Sequence, residues 1–293
     1  MSTATSCATA SAVPPPSGSR AWAKFRRNRA AMLGAAIVLA FVVLAILASV
    51  LANFDPLKVN FLAVRKPPSA MYWLGTDELG RDIYSRMLFG ARASLMVGLV
   101  SVLIAIAAGV PFGLMAGYFE GWVDGAISRV TEALLAIPFL ILAIALAAFL
   151  GPSLINAMIA IGVSAAPKFT RLTRGQVLAV KNEDYVQGAR ALGASDLRII
   201  VRHVLPNVMP PLIVQATITI ATSIIAEASL SFLGLGLQPP NPSWGSMLNT
   251  AKNFMNQAPW MSVFPGAAIF LAVLGFNLLG DGLRDALDPR QEK

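Results

Sequence analysis

The chain has 293 residues, 56% of them hydrophobic and only 13% charged. Soluble domains hold about 45–50% apolar and about 25% charged residues, so an ordinary soluble globule is excluded and a multi-span membrane protein is indicated. The net charge of +8 does not point to nucleic acid, because the basic residues stand beside apolar runs, where they set membrane orientation.

Residues 1–20, "MSTATSCATASAVPPPSGSR", lack the apolar mass to fold and are expected to form a disordered tail. They hold Cys7, the one cysteine, so an intrachain disulfide is excluded. Segment 21–52 pairs a basic, partly aromatic approach, "AWAKFRRNR", with a charge-free run from Ala30 to Leu51. That run is long enough to cross a hydrocarbon core of about 30 Å. It is about twice the length of a signal-peptide core and reads as an uncleaved first span.

Residues 53–93 form a loop in which Gly80 breaks the chain and Asp82 caps a helix starting at Ile83. Ile83, Met87 and Ala91 recur at helical spacing with Arg86 elsewhere on the wheel, which predicts a separate amphipathic, interfacial helix feeding the second span. A core of five further spans is expected within 94–282, at roughly 94–117, 129–150, 153–171, 209–233 and 260–280. Pro167 and Lys168 crowd the end of the fourth. Pro111, Pro138 and Pro265 lie inside spans and are expected to kink them. "GLGLQPPNPSWGSMLN" (234–249) reads as a rigid turn, with Gly234 and Gly236 ending span five. Trp244 is either an interfacial anchor or part of an outer gate or docking surface. A short tail, 283–293, ends the chain. Six spans place both termini on one side. That side carries 16 of the lysines and arginines against 7 on the other, which predicts both termini inside.

Between spans four and five, a charged loop at 172–208 interrupts the apolar pattern. Asp184 to Leu192 reads as a short helix with Asp184 at its positive end and Arg190 in its last turn. Gly193 supplies a left-handed terminator, and Ser195 caps a second helix that runs to a stop at Pro206. Tyr185, Val186, Ala189 and Leu192 fall at helical spacing and are expected to rest on the bundle. Glu183, Asp184, Gln187 and Arg190 remain for another partner.

This loop resembles the cytoplasmic EAA loop of permease subunits in binding-protein-dependent ABC importers, whose form is EAA, three residues, Gly, nine residues, Ile-x-Leu-Pro. Gln187, Gly188, Ala189, Gly193, His203, Leu205 and Pro206 stand at those positions; Ala189, Gly193, Leu205 and Pro206 match, while Gln187, Gly188 and His203 depart. "LGTDELGRDIYSRMLFGARASL", "GLMAGYFEGWVD", "SLSFLGLGLQPPNPSWGSML" and "FNLLGDGLRDALDPR" look like the C-type permease of dipeptide, oligopeptide, glutathione and nickel importers. The resemblance runs from about residue 21 to the end.

It implies an all-α, six-span type I ABC importer permease of the bacterial cytoplasmic membrane, surrounded by lipid. Its implied partners are a second homologous permease, two ATP-binding subunits and an extracytoplasmic substrate-binding protein. It also implies a coupling helix that meets the ATPase through Glu183, Asp184, Tyr185, Gln187, Gly188, Ala189, Arg190, Ala191, Leu192, Gly193, Ala194 and Ser195. Peptides are the implied cargo class, with glutathione or nickel as alternatives.

The residues themselves exclude an ATP site and most catalytic chemistry in this chain. No lysine follows a glycine, so the phosphate-cradling Gly-Lys-Ser/Thr loop is absent; ATP and magnesium are expected on the partner subunits, with no cofactor or metal here. One histidine and one remote cysteine give no nucleophile–base pair. Paired intramembrane charges or an inverted repeat, as a self-contained carrier would want, are not found. Two carboxylates fall in or near spans. Glu132, beside Arg129, reads as paired or solvated. Glu227 either faces a translocation path or makes a buried hydrogen bond to a neighbouring helix. Asn156, Gln215 and Asn277 read as interhelical hydrogen-bonding groups.

Overall fold

A computed structural model gives the architecture and describes residues 18–287. The tail 1–17 with Cys7, and residues 288–293 with Arg290 and Lys293, lie outside the described residues. Among the described residues every regular element is a helix. Two expected tails start as helix instead: α1, Gly18–Arg27, begins inside the segment read as disordered, and the last helix runs to Leu287, past the expected start of the tail at 283.

Asn28 caps α2 (Arg29–Ile46) by accepting from the Ala31 amide at 3.1 Å. Its amide nitrogen also donates to Asp285 at 3.2 Å, which ties the two ends of the chain together. A single turn, α3 (Ala48–Leu51), leads into the loop before α4 (Ile83–Phe119). Asp82 caps α4 as expected, its carboxylate accepting from the Ser85 amide at 2.8 Å. The expected interfacial helix and second span are nevertheless one helix of 37 residues, about 55 Å long. The polar residue that argued for an interface, Arg86, is buried and pairs with Asp77 at 3.3 Å. Arg81 joins Asp77 at 2.7 Å and Glu78 at 2.5 Å, so "TDELGRDIYSR" folds into one enclosed ion cluster. Burial, then the neighbouring Asp77, pushes the Glu78 carboxyl above its usual range.

The expected third span bends at Pro138, as its proline predicts, but sharply enough to part into two helices. α5 (Gly121–Ala136) and α6 (Phe139–Leu150) meet at 93°. Ile137 is extended, as the residue before a proline prefers, and Pro138 has no amide to carry the helix on. Conversely, Pro111 and Pro265 sit inside continuous helices. Pro167 does not end the fourth span either, since α7 runs from Leu154 to Val180 with Pro167 buried inside it.

α8 (Asp184–Ala191) and α9 (Asp196–Ile199) follow, and a π turn, Ile200–Val204, leads directly into α10 (Leu205–Phe232). The expected stop at Pro206 is absent. The wider π turn, with the Leu205 amide bonded to Ile200 O, lets the chain pass into α10, and Pro206 falls in its first turn, where a missing donor costs least. α11 (Trp244–Ala251) and α12 (Trp260–Leu287) complete the fold. By length and composition α2, α4, α9–α10 and α12 can each cross a membrane, and a fifth crossing is available if bent α5–α6 counts as one. α7, with its cations, does not pass that test.

The centre of the bundle is the α4–α7 pair. Gly109, Gly113 and Gly117 lie four residues apart on one face of α4. A Cβ at Gly109 would meet Ala166 O at 2.5 Å; one at Gly113 would meet Thr173 Cβ at 2.5 Å; one at Gly117 would meet Val177 Cβ at 2.7 Å. Small residues at this spacing let two backbones touch where larger ones would hold them apart. Gly113→Ala is expected to destabilise the fold by about 1–3 kcal/mol through overpacking, and Gly113→Leu by more. Gly125, where a Cβ meets nothing within 4 Å, should tolerate alanine with a gain of up to about 1 kcal/mol in helix propensity. Thermal unfolding of the detergent-purified protein should rank Gly125→Ala at or above wild type, then Gly113→Ala, then Gly113→Leu.

Candidate functional site

The α8–α9 elbow is built as its local chemistry requires. Gly193 has φ +79°, the left-handed conformation that glycine reaches without strain. Its amide donates to Arg190 O at 3.0 Å and the Ala194 amide donates to Ala189 O at 3.1 Å, the paired bonds of a Schellman ending. Glu183 and Ser195 occupy the cap positions with extended backbones, but neither side chain bonds the helix it precedes.

One face of the elbow belongs to the bundle. Val186, Ile199 and Val204 are wholly buried and pack with Val177 of α7 and Val208 of α10. Ala189 and Ala194 pack partly buried against the same cluster. The opposite face is open. Leu192 is 90% exposed, Leu197 72% and Tyr185 45%. Glu183, Asp184, Gln187, Gly188, Ala191, Gly193 and Ser195 are exposed beside them. Tyr185 and Leu192 therefore point away from the bundle on which they were expected to rest. At about 100° per residue they share a stripe roughly a quarter-turn or more from Val186, and a helix this short seats only one face.

Arg190 also departs from expectation, since its side chain turns back to the bundle. Its guanidinium lies 5.5 Å from the centre of the Tyr118 ring and donates to the Tyr118 hydroxyl at 3.1 Å. That hydroxyl donates to Asp196 at 2.6 Å. One phenol at the end of α4 thus bridges the last turn of α8 to the first turn of α9. Two ion pairs brace the same region. Arg174 of α7 grips Asp124 of α5 through both carboxylate oxygens, at 2.5 and 2.7 Å, and Lys181 pairs with Glu120. Tyr118 carried no signal in sequence, because its partners lie 72 and 78 residues away. The glycines at 109, 113 and 117 were the available clue that α4 ends in close contact with whatever precedes the elbow.

Glu227 is elsewhere, wholly buried between α4, α10 and α11. Ser231 donates to it at 2.7 Å and Ser94 at 3.2 Å, so of the two readings the buried hydrogen bond is the one the geometry contains. The Trp244 amide donates to Ser94 at 3.4 Å and its indole to Met87 O at 3.2 Å. Trp244 is accordingly a buried fastener of α11 rather than an interfacial anchor. The other polar residues are also local. Asn156 closes the α6–α7 turn on Leu150 O and Gly151 O, Gln215 bonds Thr219 in its own helix, and Asn277 and Glu132 are exposed. Among the described residues no group of three acidic, histidine or cysteine side chains is placed to hold a metal.

Comparison with known proteins agrees along nearly the whole chain. Residues 109–293 match the model of the binding-protein-dependent transport system inner membrane component family. Residues 18–68 match that of the N-terminal TM domain of oligopeptide transport permease C. The chain is 46% identical to the dipeptide transport system permease protein DppC of Alkalihalophilus pseudofirmus, over 93% of this chain and 90% of that one. It is 48% identical to the glutathione transport system permease protein GsiD of Escherichia coli, over 92% of this chain and 89% of that one. Among solved structures, an inward-facing form of the MetNI methionine ABC transporter shares the fold, with a TM-score of 0.57 at 21% identity over 68% of this chain and 94% of its own.

Tyr118→Phe removes one hydroxyl and leaves the ring in place. It is expected to loosen the elbow by about 0.5–1.5 kcal/mol, read as faster amide hydrogen exchange over 189–199 with no change in α4 or α12. At the second site, Glu227→Gln keeps acceptors for Ser94 and Ser231, whereas Glu227→Leu strands both hydroxyls. The leucine variant should lose about 1–3 kcal/mol in thermal unfolding and the glutamine variant less.

Proposed function

The chain belongs to the family of binding-protein-dependent transport system inner membrane components, and we propose that within it the protein is the C-type permease of a peptide importer. It is a transport subunit of an ABC importer and carries out no chemistry of its own. The elbow carries the reading. It is a capped, bent pair of helices, pinned to the bundle by Val186, Ile199 and Tyr118, that presents the apolar stripe of Tyr185, Leu192 and Leu197 outward. A stripe of that kind on a charged, water-facing loop fits a hydrophobic cleft of another protein. A rigid element transmits a push that a flexible loop would absorb.

In this reading the partners are a second homologous permease, two ATP-binding subunits and an extracytoplasmic substrate-binding protein. ATP and magnesium bind on the ATPase subunits. Nucleotide binding draws the two elbows together, and the paired permeases pass from inward-open to outward-open, a coupling of two states across an interface. Six crossings, with both termini and the elbow in the cytoplasm of a bacterium, are supported by the distribution of arginine and lysine. The crossings are α2, α4, the bent α5–α6, α7, α9–α10 and α12. Dipeptides or oligopeptides are the preferred cargo. Glutathione is the second reading, favoured by the 48% identity to GsiD.

Leu192 is 90% exposed, so Leu192→Asp should leave the thermal stability of the chain unchanged. Its expected effect is to strip the ATPase subunits from the purified complex, at least tenfold for a desolvated apolar anchor worth about 1.4 kcal/mol or more. Proteoliposomes holding the wild-type complex should import dipeptide only with internal ATP and the binding protein outside. Uptake driven by a proton gradient without ATP would reject the reading. Cargo is decided by which of dipeptide and glutathione the binding protein retains.

A further inference from the structure

Three cations stand on the elbow half of α7, Lys168, Arg171 and Arg174, and Lys181 follows at its C-cap. They divide by face. Arg174 and Lys181 point to one side, where Asp124 and Glu120 pair with them. Lys168 and Arg171, on the other side, make no ion pair among the described residues; Lys168 lies over the Phe139 ring at 4.8 Å. Lys168 is 14 residues into α7 and Arg171 is 17, so they stand about 21 and 26 Å from its far end. If α7 crosses a core of about 30 Å, as the importer reading has it, they stand about 4–9 Å inside its elbow-side face, within reach of water from the cytosol. A cation without an acid partner at such a position calls for water or an anion to meet it, and such a residue marks a pathway more often than a scaffold.

The space beside them is a recess of about 580 Å³ between α5, α7 and α10, within the roughly 300–1,000 Å³ range of small-molecule sites. Besides the two cations it is lined by Gln176 and Gln215, which can serve a peptide bond, and by Leu135 and Leu172, which can meet an apolar side chain. Gly175 leaves its floor open, since a Cβ there meets nothing within 4 Å.

We propose that this recess is a way-station for the cargo, in which Lys168 and Arg171 hold the free carboxylate of a peptide on its way to the cytosol. The inference rests on the importer reading above and adds the group of the cargo that is recognised. Charge-assisted hydrogen bonds to a carboxylate are shorter and stronger than neutral ones, and screening by water and salt in an open recess keeps the hold weak enough for transit. The amides and leucines tolerate varied residues, so the site reads the terminus and not the side chains.

The test uses the assembled, nucleotide-free complex carrying Gln176→Cys in a Cys7→Ser background, and follows maleimide labelling of the new thiol. Millimolar Ala-Ala should slow labelling several-fold, its C-terminal amide should not, and protection should vanish with Arg171→Gln and return with Arg171→Lys. Equal protection by acid and amide, or none by either, overturns the proposal. So does protection by anionic phosphatidylglycerol but not by Ala-Ala, which would assign the cations to lipid headgroups. Wild-type complex is assayed alongside for ATP hydrolysis stimulated by the binding protein. If that is absent, the importer reading itself fails; if it is present without protection, the recess assignment alone fails.

Discussion

The close approach of α4 to α7 sets the rest of the molecule. Glycines at 109, 113 and 117 remove the side chains that would separate two long helices, and Ala166, Thr173 and Val177 take their place. Dispersion between surfaces in contact is the attraction available to apolar helices in lipid, where no hydrophobic difference separates one helix from its surroundings. The consequence is geometric. With α4 held against α7, Tyr118 at the end of one helix is delivered to the elbow that follows the other. A looser pair would leave Arg190 and Asp196 without the hydroxyl they share.

Electrostatics then divides labour around that pair. Acids at the start of α5 and the end of α4 neutralise Arg174 and Lys181 and brace the elbow, while another face of α7 carries two cations with no acid partner among the described residues. On the far side of the bundle, Asp77, Glu78, Arg81 and Arg86 close an enclosed cluster at the start of α4. Glu227 and its serines fasten α11 nearby. The charged groups of this fold are therefore mostly of two kinds: those paired within the subunit, which hold its shape, and those left open at its surface.

Local chemistry was well read in the sequence. Asp82 as a helix cap and Gly193 as the left-handed terminator both depend on backbone groups a few residues away, whereas Ser195 takes the cap position without making the cap bond. Boundaries that depend on distant contacts were not. α4 was divided in two because Arg86 looked solvent-facing, whereas Asp77, brought back by the loop, takes it into the interior. The fourth span reads as ending near 171, with Pro167 and Lys168 crowding its end, but packing on the glycine stripe carries α7 through the proline to Val180. Only the broken third span followed its proline, because α5 and α6 have no such partner to hold them in line.

The candidate surface divides the same way. Apolar composition, the charge distribution and the caps around Gly193 determined by themselves that this is a multi-span membrane chain with a structured loop between two of its helices, since each of these is a property of neighbouring residues. The transport role came from the resemblance of that loop and four longer segments to a known family. Which side chains of that loop face outward was decided only by the tertiary structure. Val186 and Tyr185 are adjacent and both apolar, and nothing in their own chemistry says which one the bundle will bury. The wall formed by α4, α7 and α10 makes that choice, and it makes the same choice for Arg190, drawn back to Tyr118, and for Lys168 and Arg171, left facing an open recess.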